Sequence, residues 1–485
     1  MPDRLRGHLA RAAPLGMREI PDFAASIAYL EDLSSRPVLP WRQVGLGRTI
    51  VMLAALGDPQ RAFSTIQVAG TACKGSTTTM AAAILREAGY HTGAFTSPHL
   101  QSYRERIAID GSPIDEDLWV DALSRIAPLV ARMERGELPG YSLGRPTLFE
   151  VTWAMAALVF AERGVRCAVV EAGVGGRVDP TSVNAALVAV ITNVSLDHTE
   201  RLGPTVAAIA AEKAGLIRPG QLVISAAEGE ALAIIAATCA ERGATLWQVR
   251  ALPSNDTAGH DVLFDTASDT SPSQKEVLVV PDTNAADATL AIRTPLHTFA
   301  GLRPSLLGAH QYRNAGCAVA AVDALAVAES LIVAPAAVAA GLAAARIPGR
   351  MELFPGRPAI LLDGAKSQAG AEALAGALRS VYAGRRIVLV LGVLGDKDVE
   401  AIAAALSPLA DAVVVTEPPW EKRAGAAARV AEAARTHTAH VEMRPVVGDA
   451  LARARALAGP DDLIVVAGSL YLVGAVRDLL LPQTR

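Results

Sequence analysis

Residues 68–80, VAGTACKGSTTTM, bring an apolar, strand-like run into a glycine-rich turn with a lysine and then a helix-forming stretch. A turn of that kind aims backbone N–H groups at an anion. Lys74 could reach outer phosphates, and the hydroxyl of Ser76 or Thr77 could meet Mg2+. Gly70, Thr71 and Gly75 would form the cradle. The strict phosphate-loop pattern asks for Gly before the lysine and Ser or Thr after it, and Cys73 and Gly75 stand there instead. Taken alone, the stretch is equally a nucleotide loop or a plain strand-to-helix turn.

Glu171 and His198 each follow a buried-looking strand, in CAVVEAGVGGRVD and VITNVSLDHTE. A carboxylate and an imidazole at neighbouring strand ends can face one crevice, and both are divalent-metal ligands. The plainer alternatives are a solvated strand-end charge for Glu171 and a hydrogen-bonded turn residue for His198. Gly173, Gly175 and Gly176 would let backbone approach a ligand closely. Lys213, in PTVAAIAAEKAGLIRPG, reads locally as a surface helix lysine paired with Glu212 or Glu200.

The elements that must position these groups are α/β. From Ile66 to about Ala240, apolar runs rich in β-branched residues (STIQVAG, YHTGAFT, VRCAVVEAG, LVAVITNVS, QLVISA) alternate with helix-like stretches. That pattern predicts a parallel, doubly wound sheet of phosphate-loop type, with ligands at the carboxyl ends of the strands. Between about 250 and 300, Asp, Thr, Ser and Pro punctuate short runs, which predicts a small antiparallel insertion with mobile loops. A helical stretch from Gln311 ends at Ile347-Pro348-Gly349, a natural hinge. The alternation then restarts (AILLDGA, RIVLVLGVLG, DAVVVTE, HVEMRPV, DLIVVAGS), as in a smaller Rossmann-like domain. The expected division is 1–345, a hinge at 346–350, and 351–485, with a catalytic cleft between the domains.

Composition narrows the class. The chain has 485 residues, is 51% hydrophobic and carries a net charge of −4 with both signs interspersed. It has material for large cores and no basic stripe for nucleic acid. No uninterrupted run of about 18 apolar residues suits a bilayer, and the first residues, MPDRLRGHLARAAPLG, lack the apolar centre of a signal peptide. The expectation is a cytoplasmic protein without a membrane or nucleic-acid partner. Cys73, Cys167, Cys239 and Cys317 lie far apart, which argues against a disulfide framework or zinc site; Cys167 and Cys317 read as small core residues.

Ten ordered segments carry a family resemblance: AGTACKGST, TSPHLQSYRERIAIDG, TLFEVTWAMAALVF, EAGVGGRVDPTSV, LDHTERLGPTVAAIAAEKAGLIRPG, LLGAHQYRNA, PGRMELF, LDGAKSQAG, LGVLGDKD and AGSLYLVG. Over nearly the whole chain the sequence resembles folylpolyglutamate synthase and dihydrofolate synthase, members of the Mur-type amide ligases. The resemblance implies an ATP-dependent ligase that phosphorylates a carboxylate and lets the amine of L-glutamate attack the acyl phosphate, with a folate or pteroate as the acid. It gives Lys74 and Ser76 to the ATP phosphates and magnesium, and Glu171 and His198 to magnesium. Lys213 becomes the lysine that is carbamylated in this superfamily, which reverses its local reading. A potassium ion is a further cation such a site could take. Asn314 falls near the adenine, Arg350 and Asp363 close onto the nucleotide, and Ser469 lies in the amino-acid segment. The catalytic set is then Lys74, Lys213, His198 and Arg350. The partners implied are small-molecule substrates only, and the state implied is a monomer.

Three departures stand out. The family's GTNGKGS has Ala72 and Cys73 in place of Asn and Gly; if that Gly position requires a positive φ, Cys73 is strained by roughly 1–3 kcal/mol. The family's DGAHN is DGAKS, so Lys366 and Ser367 replace His and Asn where the amino acid is handled. Arg104 replaces an Asn near the pteroate. These leave two further readings open: a ligase of the same family joining another amino acid and carboxylate, and a catalytically silent nucleotide- or pterin-binding homologue.

Overall fold

The computed structural model describes residues 20–35, 44–138, 141, 143–252, 274–282, 289–306, 308–419 and 427–481. The leader reading of residues 1–16 and the loops at 253–273 lie outside them. The chain forms two compact units. The first gathers Met1–His99, Tyr103–Pro304 and Tyr312–Ala345; the second gathers Leu100–Ser102, Ser305–Gln311 and Arg346–Arg485. Among the described residues no helix is long and apolar enough to cross a membrane.

The first unit is built on one sheet of β1 (Ser64–Ala69), β2 (Thr92–Phe95), β3 (Ile107–Ile109), β4 (Ser112–Pro113), β5 (Cys167–Glu171), β6 (Val188–Ile191), β7 (Leu222–Ser225), β8 (Thr245–Ala251), β9 (Gln274–Asp282), β10 (Thr289–Arg293) and β11 (Thr298–Leu302). Its order is β11-β10-β9-β8-β7-β6-β1-β5-β2-β3-β4. Pairing is parallel from β9 across to β2 and antiparallel at both margins. The expected antiparallel meander is thus the edge of the main sheet. The central strands are near-continuous apolar runs because helices cover both faces. Cys167 lies in β5 and is fully buried, as is Cys317 on the helix His310–Glu329, as expected of small core residues.

The helix Leu148–Glu162 shows how sequence sets local structure here. It opens on a capping box, in which the Thr147 hydroxyl and the Glu150 carboxylate each accept a backbone N–H of the other residue. It is apolar nearly all round, and so it is buried all round. The order of the sheet decides where a ligand goes. β1 sits between β5 and β6, and the chain leaves it first toward β2 on one side and later returns to β6 on the other. The carboxyl end of β1 is therefore a topological switch point, where loops diverge and leave a crevice.

The second unit has β12 (Glu352–Phe354), β13 (Ala359–Asp363), β14 (Ile387–Leu391), β15 (Ala412–Val415), β16 (Val441–Met443) and β17 (Leu463–Ala467), in the order β12-β13-β17-β14-β15-β16. All neighbours are parallel except β12 with β13. Apolar clusters cover both faces, and its own switch point falls at β13, β17 and β14.

Candidate active site

The loop between β1 and the helix Lys74–Glu87 is laced to the end of β6. The Thr71 N–H donates to the Asn193 carbonyl at 2.9 Å, the Ala72 N–H to Asn193 Oδ1 at 2.8 Å, and the Thr192 hydroxyl to the Ala72 carbonyl at 2.7 Å. Gly70 cannot be replaced: its φ is 151°, and a Cβ there would lie 1.9 Å from Thr192 Oγ1. Cys73 caps the helix at φ 67°, ψ 1°, so the position does require left-handed backbone and Cys73 carries the strain. The first N–H groups of a 14-residue helix then face the crevice with no intrahelical acceptor.

Two lysines converge on one carbonyl. Lys74 Nζ donates to the Gly70 carbonyl at 3.1 Å, and Lys213 Nζ donates to the same oxygen at 2.8 Å. Lys213, on the helix Val206–Ala214, is only 4% exposed, which overturns its local reading as a surface lysine. The carboxylates once offered to it turn elsewhere: Glu212 lies 3.7 Å from Arg177, and Glu200 lies 3.7 Å from His198. Burial first, and then the Lys74 charge, pull the Lys213 ammonium down to about 7. Near neutral pH a good part of it is a free amine, the form that can add carbon dioxide.

Glu171 ends β5 and is buried; its Oε2 accepts the Ser97 N–H at 3.0 Å. The same oxygen would be 3.5 Å from a Cβ on Gly75, so it stands over the first turn of the helix that carries Ser76. Ser76 and Thr77 are buried, and Thr77 Oγ1 has no hydrogen-bond partner. His198 begins the short helix Thr199–Leu202 with φ 49° and is about half exposed. Burial lowers its pKa, with the Lys74 charge among the smaller causes. No group of three or more His, Cys, Asp or Glu side chains suited to a metal occurs among the described residues. The structure therefore sets Glu171 near the start of the Ser76 helix, while His198 is tied to them only through Lys74. A buried carboxylate and a hydroxyl fit magnesium, which commonly takes one or two carboxylates and completes its shell with phosphate and water.

Sequence reasoning missed the residue that shapes this region. Asp179, fully buried, accepts from the N–H groups of Gly173 (2.8 Å), Val174 (3.0 Å) and Thr181 (3.0 Å) and from the Thr181 hydroxyl (2.6 Å). Burial pushes its pKa up, against those bonds. Gln67 on β1 donates to Thr181 and Ser182, and a Cβ on Gly176 would lie 2.5 Å from the Lys213 carbonyl. Asp179 thus fixes the turn after Glu171 and packs it on the Lys213 helix. Its signal was local: Asp followed by Pro and Thr is a capping turn.

Asn314 is buried on the helix His310–Glu329. Arg104 stacks 5.6 Å from the Phe23 ring centre and donates to the Ile114 carbonyl at 3.1 Å. In the second unit, Asp363 accepts the N–H groups of Met351 and Ala365, each at 2.9 Å, and so holds the backbone just after Arg350 and just after Gly364. Burial raises its pKa while Arg350 lowers it. Ser367 caps the helix Gln368–Val381, and buried Ser469 caps Leu470–Leu480. Lys366 is exposed.

Comparison with known proteins gives a consistent result. A family model described as Mur ligase, glutamate ligase domain, matches residues 349–470. A dihydrofolate synthase/folylpolyglutamate synthase of Bacillus subtilis is 32% identical over 438 residues, covering 90% of this chain and 95% of that protein. One of the same name from Mycobacterium tuberculosis is 37% identical over 411 residues, covering 83% and 80%. The solved structure of Mycobacterium tuberculosis folylpolyglutamate synthase complexed with ADP matches with a TM-score of 0.81 at 33% identity, over 96% of this chain and 100% of that one.

Proposed function

The chain belongs to the folylpolyglutamate synthase/dihydrofolate synthase family of Mur-type ligases, and on that premise we propose that it joins L-glutamate to a folate or pteroate carboxylate at the expense of ATP. The observation that carries the reading is the pairing of Lys74 and Lys213 on the Gly70 carbonyl, beside buried Glu171. That arrangement sets the Lys74 charge, the buried Lys213 amine and helix N–H groups where a triphosphate would lie, with a carboxylate at hand for its counter-ion.

Two anions must meet in line for a carboxylate oxygen to attack the γ-phosphorus, and the transferring group spreads charge over its oxygens. Lys74 and the open N–H groups of its helix offset that charge. Ser76, Glu171 and His198 would hold magnesium, which when bound neutralises phosphate charge and orients the leaving group. Lys213, as a free amine, is ready to be carbamylated and so to offer an anionic ligand to a second metal. Asn314 would lie by the adenine. In the second unit, Asp363 sets the backbone around Arg350 for the nucleotide, and the segment of Ser469 takes the amino acid. Attack of the amine nitrogen on the acyl carbon expels phosphate and leaves the amide. We take the protein to act as a cytoplasmic monomer.

A different amino acid is the second reading, and the observation favouring it is the exposed cation Lys366 at the end of β13. Incubation with ATP, Mg2+, pteroates and an amino-acid panel, followed by product mass, tests both. ADP formed only when a pteroate and glutamate are present supports the first. An amide product with another amino acid replaces the substrate, and no ADP with any pair removes the ligase reading.

A further inference from the structure

The loop of residues 96–106, leaving the carboxyl end of β2, is closed at its base. The Thr96 N–H donates to the Arg106 carbonyl at 3.0 Å and its hydroxyl to the Glu105 carbonyl at 3.2 Å. The Ser97 N–H of the same loop holds Glu171 Oε2. Two residues further on is His99, a half-buried imidazole for which the reaction described above has no use.

Its ring is fixed on two sides. Arg106 Nε donates to His99 Nδ1 at 3.0 Å, and Arg106 is itself only 9% exposed. The Tyr103 ring lies against the imidazole, with centres 4.1 Å apart, and the Arg106 guanidinium sits 5.5 Å from the same Tyr103 ring. A guanidinium only donates, so Nδ1 must accept and the ring hydrogen must be on Nε2. That Nε2–H has no hydrogen-bond partner among the described residues. Burial first, and then the Arg106 charge, hold the imidazole at about 4, so it stays neutral at ordinary pH.

We propose that His99 is a substrate-orienting donor, its fixed Nε2–H reserved for a carboxylate oxygen of the acid that is to be activated. The proposal rests on the ligase reading. A carboxylate only accepts hydrogen bonds, and it must be held beside the phosphate loop while one oxygen stays free to attack. His99 suits this task because it leaves the strand next to β5, on the loop that also holds Glu171. A neutral donor orients the carboxylate without adding a full positive charge to quench its nucleophilicity. The Arg106 and Tyr103 contacts settle the ring's orientation before any substrate arrives, so little ordering is left for the binding step.

The test compares wild type with His99→Phe, which keeps a flat ring against Tyr103, and His99→Gln, which keeps a side-chain N–H. ADP release is followed at saturating ATP and glutamate with a pteroate-class acid varied. The Phe variant should lose roughly tenfold to a hundredfold in kcat/KM for the acid, the usual weight of a hydrogen bond to a charged group. KM for ATP and the melting temperature should hold, and the Gln variant should recover most of the loss. The loss should be equal at about pH 6 and about pH 8, since a neutral donor does not titrate there. An unaffected Phe variant overturns the proposal. So do equal losses in both variants with lowered melting temperatures, or a loss that varies with pH. If wild type releases no ADP with any such acid, the ligase reading falls and takes this with it; an active wild type with an unaffected Phe variant removes His99 alone.

Discussion

At the carboxyl ends of β1, β5 and β6 two ionisable groups are buried, Lys213 and Glu171 at 4% exposure each, while His198 is about half exposed. At the ends of β13 and β17 the buried polar groups, Asp363 and Ser469, hold backbone, while the cation Lys366 is exposed. A buried charge must keep its partners or lose several kcal/mol, whereas an exposed one can change at little cost to the fold. A change at the buried groups of the first region is therefore costly to the fold, and one at exposed Lys366 is cheaper. Among the departures, Lys366 is a changed, exposed side chain, whereas Cys73 keeps the left-handed backbone of the phosphate loop at a cost in strain and leaves the charges beside it intact.

The largest effect expected is on the first region. Lys74→Ala should lower turnover roughly a thousandfold with little change in melting temperature, because among the described residues Nζ bonds only the carbonyls of its own loop, Gly70 and Thr71. A mild loss would break the comparison.

Lys213 sharpens it through pH. Its ammonium titrates at about 7 against the ordinary 10.5, so between those values the unfolded chain binds a proton that the folded chain does not, and stability gains as pH rises across the window. Below it both forms are protonated and the cost of burial is full. Lys213→Met should therefore be stabilised over wild type most at about pH 6, and that margin should shrink by at least about 1 kcal/mol toward about pH 10. Urea unfolding across pH measures it; a constant margin would contradict the burial argument.

Cys73→Gly should relieve the left-handed strain. Against the backbone entropy that glycine loses, the net gain should be about 1 kcal/mol, a rise of a few degrees in melting temperature. No rise would mean that the loop tolerates Cys73 without strain. The smallest effect belongs to the second region: Lys366→His should leave melting temperature and KM for ATP alone and shift KM for the amino acid by less than about tenfold. A large loss of stability would show that Lys366 supports the fold after all.

Much of this was legible in the sequence. The alternation of apolar runs gave the strands β1, β2, β5, β6 and β7 and those from β13 to β17; all of them but the part-exposed edge strand β16 are buried nearly throughout, which leaves a continuous signal. The position of Lys213 was not legible from local pattern. EKAG on an alanine-rich helix looks like a surface turn, whereas in the fold Gly176 packs closely on that helix and Nζ meets the Gly70 carbonyl, 143 residues away in sequence. Thr192 and Asn193 escaped notice for the same reason, since their partners lie more than a hundred residues away on β1's loop. β12 was too short to register beside the hinge.

The central claim is that the first region transfers phosphate to a carboxylate. It is tested most directly with an acid carrying heavy oxygen in its carboxylate, incubated with ATP, Mg2+ and glutamate. Transfer of one labelled oxygen into the released phosphate for each amide formed is the predicted result. Unlabelled phosphate, with the label retained in the acid, would mean that ATP is cleaved by water and would contradict the account.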